Sequence, residues 1–158
     1  MTPEAAIQML QTCFWRRAEH LLFHHTNPWE LDAALCDWGC SMGPCAAQDL
    51  IGLDKVLTPD WPGPILPRMV AEGRLGKISG VGFYRYPGGG GAVVDPLLED
   101  LILEEAWFGK IKRIDLADDD LVTRMLACLD APQRHLQEAG FGTAEIRNLL
   151  TKALHFPA

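Results

Sequence analysis

Three times in the first 44 residues a proline directly follows a residue suited to a helix boundary: Thr2-Pro3, Asn27-Pro28 and Gly43-Pro44. Proline at a first helical position has no N–H to leave unsatisfied and brings a helical φ with it. Each pair therefore marks a helix start, and the chain is constrained to helices joined by tight turns. Behind Thr2-Pro3-Glu4, the residues Ile7, Leu10, Phe14, Ala18 and Leu21 recur at spacings of three and four, an amphipathic stripe to about His24. A second helix runs from Pro28 to about Trp38 and stops at Gly39.

The rest of the chain continues the pattern. The spacing predicts a third helix from Pro44 to about Asp54, a proline-rich bend from Pro59 to Pro67, and a short helix holding Met69 and Val70 that stops at Gly73. From Gly73 to Gly91 there are eight glycines, too many for regular structure beyond an extended Gly82–Tyr86, so this is read as an ordered or partly mobile loop. Val93–Phe108 reads as helix. Another, capped by Asp118-Asp119-Asp120, is expected to bend near Pro132 and end at Gly140 or Gly142, with a last helix capped by Thr143. The count is seven helices and almost no strand, an all-α helical bundle. A weak repeat is visible, Met9-Leu10, Cys13 and His20-Leu21 being echoed by Met125-Leu126, Cys128 and His135-Leu136.

Charge narrows the function. Fourteen Lys and Arg stand against 21 Asp and Glu, a net −7, so neither nucleic acid nor an anionic membrane surface is an expected partner. No apolar run is long enough to span a bilayer, the N-terminus lacks a signal-peptide pattern, and five scattered cysteines are expected to be free thiols, so a cytoplasmic location is expected.

The chemistry-bearing residues mostly have plain readings. Glycines 88–91 lack the preceding strand and following Lys-Ser or Lys-Thr of a phosphate loop, and no dinucleotide fingerprint with βαβ context occurs. Cys36, Cys40 and Cys45 do not have the paired spacing of a structural zinc site. Cys13 and His20 lie two turns apart, about 10 Å, too far for a nucleophile–base pair. His24-His25 suit the negative end of the first helix. The acidic groups at Glu99–Glu105 and Asp115–Asp120 read as solvated faces and caps. Phe14, Trp15, Phe23, Trp29 and Trp38 are candidate core or interface anchors.

Several motifs occur in one order: Gly39-Cys40-Ser41-Met42-Gly43-Pro44, Asp49-Leu50-Ile51-Gly52-Leu53-Asp54, Met69-Val70-Ala71-Glu72-Gly73-Arg74-Leu75-Gly76 and Gly80-Val81-Gly82-Phe83-Tyr84-Arg85-Tyr86. Together they resemble the C-terminal domain of 3-hydroxyacyl-CoA dehydrogenases. Asp118–Leu126 and His155-Phe156-Pro157 are similar to the second copy of that domain in the multifunctional fatty-acid oxidation enzymes. The resemblance implies an all-α fold of the 6-phosphogluconate dehydrogenase C-terminal-domain-like type, with residues 1–92 as a first repeat and 93–158 as a second, truncated repeat in the same globular unit.

That resemblance implies a dimerisation and substrate domain of an NAD-dependent enzyme acting on the 3-hydroxyl of an acyl-CoA. The family's NAD site and catalytic His–Glu pair belong to a Rossmann domain, so this chain alone is expected to bind no cofactor and to supply no catalytic residue. Gln8 falls where the family places an Asn near the substrate, and Met42, Gly43 and Pro44 would help form the acyl pocket wall. Expected partners are a second copy in a homodimer, a Rossmann-domain partner and, in the complete enzyme, the acyl-CoA. Departures from the family pattern are Ser41 for a proline, Ile78 and Val81 for basic residues, and Ala131-Pro132 for Asn-Glu. They keep a second reading open, a non-enzymatic dimerisation or partner-binding module derived from that domain. An independent enzyme with new chemistry lacks a nucleophile–base constellation.

Overall fold

The computed structural model describes residues 1–158 and resolves the cap-and-proline pattern into nine α-helices. They are α1 (Pro3–His24), α2 (Pro28–Trp38), α3 (Pro44–Ile51), α4 (Leu53–Val56), α5 (Ile65–Ala71), α6 (Pro96–Phe108), α7 (Asp118–Ala127), α8 (Asp130–Glu138) and α9 (Thr143–Leu154). No sheet forms, only three isolated antiparallel bridges, and no helix is long and apolar enough to cross a membrane.

Helix α1 is the axis of the fold. Thr2 caps it by accepting from Ala5 N at 3.1 Å, and Ala6, Leu10, Phe14, Ala18 and Leu21 are fully buried along one side. Burying a leucine or phenylalanine fully is worth about 1.5–3 kcal/mol, so this stripe contributes much of the core. Helices α3, α6, α7, α8 and α9 all pack on it. The C-terminal segment closes the bundle: Phe156 meets Phe14 edge-on at 5.6 Å and Trp38 at 5.0 Å, while Ser41 N donates to the His155 carbonyl at 2.9 Å. The aromatic side chains of the first helices are thus largely spent on the chain's own core, with Phe14 and Trp15 buried.

The helix count exceeds the expected seven for local reasons. Gly52, at φ 105°, separates α3 from α4. The expected bend at Pro132 is instead a break at Cys128-Leu129, and Pro132 sits in the first turn of the new helix α8, where its missing N–H costs nothing. Val93 is not helical: it exchanges two backbone hydrogen bonds with Arg85, at 2.8 and 2.9 Å, and α6 begins only after Asp95 caps it. The cap residues before α7 and α9 are Ala117 and Gly142 rather than Asp118 and Thr143; the aspartates fill the first turn of α7, and Glu145 reaches back to Gly142 N at 3.1 Å.

Three buried carboxylates hold the irregular segments to the helices. Glu19 on α1 accepts from Trp61 Nε1 (2.9 Å), Ile65 N (3.0 Å) and Leu66 N (2.7 Å), capping α5 from a distance because Pro64 has no side-chain acceptor. Asp32 on α2 does the same for α3, accepting from Cys45 N at 2.8 Å, Ala46 N at 3.0 Å and Tyr84 Oη at 2.7 Å. Asp49 on α3 gathers the glycine-rich loop by accepting from Phe83 N, Tyr84 N and Tyr86 Oη at 2.9, 3.1 and 2.6 Å. The loop is therefore pinned, with Phe83, Tyr84 and Tyr86 buried. Burial pushes Asp32 and Asp49 up to about 6, against the pull of their donors.

A fourth carboxylate, Asp95, accepts from Leu97 N at 3.1 Å and from Arg74 Nη1 at 2.8 Å, tying α6 to the turn after α5. Gly43 has ordinary backbone angles, φ −72° and ψ 159°, yet a Cβ there would overlap the Asp32 side chain. Gly43→Ala is therefore expected to cost about 2–4 kcal/mol by steric displacement of that carboxylate. Urea unfolding checks it, and an unchanged midpoint would show that Asp32 can move without loss.

Candidate functional site

The side of α1 that the core leaves open carries Gln8, Thr12 and Arg16 on a ridge with a groove on each flank. One groove, about 750 Å³, runs between α1 and the α7–α8 corner, where Cys128 and Pro132 form its far wall; Cys13, Arg17 and His20 complete its polar lining. The other, about 280 Å³, lies between α1 and the α3–α4 corner, lined by Ile51, Lys55, Val56 and Thr58 with Gln8 and Thr12 again on the α1 side. A third cleft, about 180 Å³, extends the line toward His24, sharing Arg16 and His20 and walled by Pro62-Gly63-Pro64. Helical periodicity explains the alignment, since residues three and four apart stack on one face.

Gln8 is exposed between the first two grooves. Met42, Gly43 and Pro44 line neither. Met42 is half-buried against the core, and Gly43 and Pro44 are buried at the start of α3, where Asp32 receives the backbone donors of the following residues. The opposite end of α3, about 10 Å further along its axis, supplies the Ile51 that does share a groove with Gln8. The structure thus brings Gln8 to Ile51, Lys55 and Thr58 rather than to the Met42–Pro44 turn, whose role visible here is to build the α2–α3 corner.

Cys13 and Cys128 face each other across the larger groove: Cys13 Sγ lies 2.9 Å from the Cys128 carbonyl and Cys128 Sγ 3.7 Å from that of Cys13. The Cys128 thiol beside it, helped by the Arg17 and Arg16 guanidiniums against the opposing effect of burial, lowers the Cys13 thiol to about 7. Burial does the reverse elsewhere, pushing Cys40 up to about 12 and Cys45 well above the usual thiol range. Helical spacing set Cys13 and His20 too far apart to pair, and it does not bring Cys13 to Cys128, which lies 115 residues away in the chain.

The imidazoles do not form acid–base pairs. Burial first, then the positive charges of His24, Arg17, His25 and Arg124, lower His20; burial, His25 and Arg113 lower His24. No carboxylate is among the groups acting on either ring, so neither has the orienting partner that general-base work needs. His24 and His25 stand at the C-terminal end of α1 as expected, and Arg113 joins them there, its Nη2 donating to the carbonyls of Leu22 and Thr26. What the face offers chemically is an amide, a hydroxyl, a thiol and guanidiniums: groups that bind and orient.

Cys13 is expected to alkylate ahead of the buried thiols. With iodoacetamide at pH 7.5, peptide mass spectrometry should find it modified at least about tenfold faster than Cys40 or Cys45 in the folded chain; equal rates would contradict the lowered thiol.

The family model described as 3-hydroxyacyl-CoA dehydrogenase, C-terminal domain, matches residues 7–86. The fatty acid oxidation complex subunit alpha of Vibrio cholerae is 34% identical over 84 residues, covering 46% of this chain and 12% of its own length. The peroxisomal bifunctional enzyme of Danio rerio is 29% identical over 140 residues, 73% of this chain and 20% of that protein. The dehydrogenase part of multifunctional enzyme 1 from C. elegans superposes with a TM-score of 0.78 at 21% identity, over 99% of this chain and 37% of that one, a likeness of fold. The chain spans a fifth or less of the length of these curated relatives.

Proposed function

Because the chain belongs to the 3-hydroxyacyl-CoA dehydrogenase family as its C-terminal domain, we propose that it walls the acyl end of a 3-hydroxyacyl-CoA substrate whose 3-hydroxyl is oxidised, with NAD as acceptor, on a separate Rossmann domain. The observation that carries this reading is the placement of Gln8, exposed on α1 between two grooves with no hydrogen bond inside the chain. Its amide is available to donate to an acyl carbonyl, and its length beyond the family's Asn lets it reach into either groove.

The residues present do not fit NAD. A dinucleotide site needs a parallel strand running through a glycine turn into a helix N-terminus. Here the glycine-rich loop makes only isolated antiparallel bridges, and the helix that follows it is capped by Asp95, a carboxylate already bonded to Arg74. The acid–base work at the substrate hydroxyl is likewise assigned to the Rossmann half, since the imidazoles of α1 lack carboxylate partners. The five unpaired cysteines support a reducing compartment.

Titration calorimetry with acetoacetyl-CoA tests the substrate wall. Binding to the wild type that weakens about three- to tenfold in Gln8→Ala, at unchanged thermal stability, is expected for loss of one hydrogen bond to the ligand. Equal affinities would remove Gln8 from the site.

A second role, self-association, is supported by α6 rather than by the aromatic first helices. Trp107 is 80% exposed, Phe108 65%, Leu97 66% and Leu103 43%, an apolar grouping of the kind that interfaces cover. We expect a dimer by light scattering that Trp107→Glu converts to monomer while leaving the fold intact; a wild-type monomer at 100 µM or a dimeric variant would refute this surface.

A further inference from the structure

Pro132 leaves a carbonyl without its helical donor. In a continuing helix the Cys128 oxygen would receive the N–H of the residue four positions on, but that residue is Pro132, which has none. No other backbone N–H reaches it across the α7–α8 break, where Leu129 N turns back to Leu126 and Gln133 N goes to Leu129. The donor comes from α1 instead: Cys13 Sγ lies 2.9 Å from the Cys128 oxygen. Cys128 Sγ points back across the same gap, 3.7 Å from the Cys13 carbonyl and 3.1 Å from that of Met125. Side chains that each reach the other's carbonyl cross one another, and the two thiols are hydrogen-bonded together.

Satisfying the Cys128 carbonyl calls for one donor, and a hydroxyl at position 13 would serve. It does not call for a second sulfur opposite. Both thiols are half-buried in the wall of the groove of about 750 Å³, where small molecules can reach them. The other cysteines offer no such pair, since Cys40 and Cys45 are buried and Cys36 is exposed. The surroundings also divide the two sulfurs. The Cys128 thiol first, then Arg17 and Arg16, lower Cys13 to about 7 against the effect of burial. Its bond to Cys13, then burial, raise Cys128, with Asp130 adding to the rise and Arg17 opposing it. An accessible thiol held near its thiolate form beside a second, protonated one is the arrangement that small oxidants convert to a disulfide.

We propose that Cys13 and Cys128 are an oxidative modification site, a dithiol that a hydroperoxide converts to a disulfide and that a thiol reductant restores. The Cys13 thiolate attacks the peroxide: an S–O bond forms, the O–O bond breaks, and the leaving oxygen takes a proton to depart as water or an alcohol. The Cys128 sulfur then attacks the sulfenic acid on Cys13. The S–S bond forms, the S–O bond breaks, and the hydroxide leaves as water with the proton of the Cys128 thiol. The two thiols lose two electrons and the peroxide gains them; two equivalents of a low-molecular-weight thiol reverse the change and leave as its own disulfide. The new bond staples α1 to the α7–α8 break across 115 residues of chain and removes a free thiol from the groove wall. None of this rests on what the groove binds.

The test treats the reduced full chain, dilute and at neutral pH, with a small excess of hydrogen peroxide, caps the remaining thiols with N-ethylmaleimide and maps the peptides by mass spectrometry without reduction. A Cys13–Cys128 peptide is expected to exceed any other pairing about tenfold or more, and dithiothreitol to return both thiols. Because the closed loop is long, the linked chain is expected to melt about 5 °C or more above the dithiol. In Cys128→Ser, dimedone should label Cys13 as its sulfenic acid; in Cys13→Ser, Cys128 should take no label. Cys13 and Cys128 still capped by N-ethylmaleimide after Cys36 has oxidised, a link that forms only in urea, a linked chain that melts below the dithiol, or dimedone on Cys128 in place of Cys13 would each overturn it. The peptide map and the melting shift are read on the wild type, so they decide the matter even where a serine variant fails to fold.

Discussion

Everything irregular in this fold hangs on carboxylates taken out of water. Glu19, Asp32 and Asp49 each give up solvation and in return accept two backbone N–H groups and one side-chain donor. Those N–H groups belong to the starts of α3 and α5 and to the glycine-rich loop, where a buried donor left unpaired would add its own desolvation penalty. The same logic sets the glycines. Chain passing this close to Asp32 or Asp49 has no room for a side chain, which places Gly43 beside the first and Gly82 beside the second.

Because these contacts secure α2 to α5 on one side, and α6 to α9 cover the other, α1 is surrounded except along one polar ridge. A buried axis with a single open face is a geometry for presenting groups. The ridge presents an amide at one end and guanidiniums further along, while the groove wall contributed by Cys128 and Pro132 comes from the far half of the chain. Both halves are therefore needed to make the groove. A change in the α7–α8 corner would alter the environment of Cys13 and Arg17 without touching α1 itself, since Arg17 is anchored to Arg124.

The proposed role rests on the groups the ridge does carry. Binding and orienting groups are abundant on the ridge, but no imidazole there is paired with a carboxylate. The exposed apolar residues of α6 lie in a different element from the ridge.

Helix positions in the first forty residues were legible because capping and periodicity are local: Thr2-Pro3 and Asn27-Pro28 mark their starts as the chain alone predicts. The order of motifs from Gly39 to Tyr86 was enough to point to the family, and the placement of Gln8 opposite the buried stripe of α1 was implied by the same periodicity. Pro132 misled because a proline in the first turn of a new helix and one bending an old helix look alike in sequence; the break at Cys128-Leu129 decides between them. The reason for the glycine at position 43 was not legible, because the buried acceptor it packs against, Asp32, lies on another helix. Sequence by itself determined the all-helical class, the face of α1 that turns inward and the family. Tertiary structure alone decided which carboxylate caps which helix, that Cys128 stands against Cys13, and that Arg17 and Arg124 meet without a counter-charge. These are pairings across tens of residues, governed by burial and hydrogen-bond demand that no local pattern encodes.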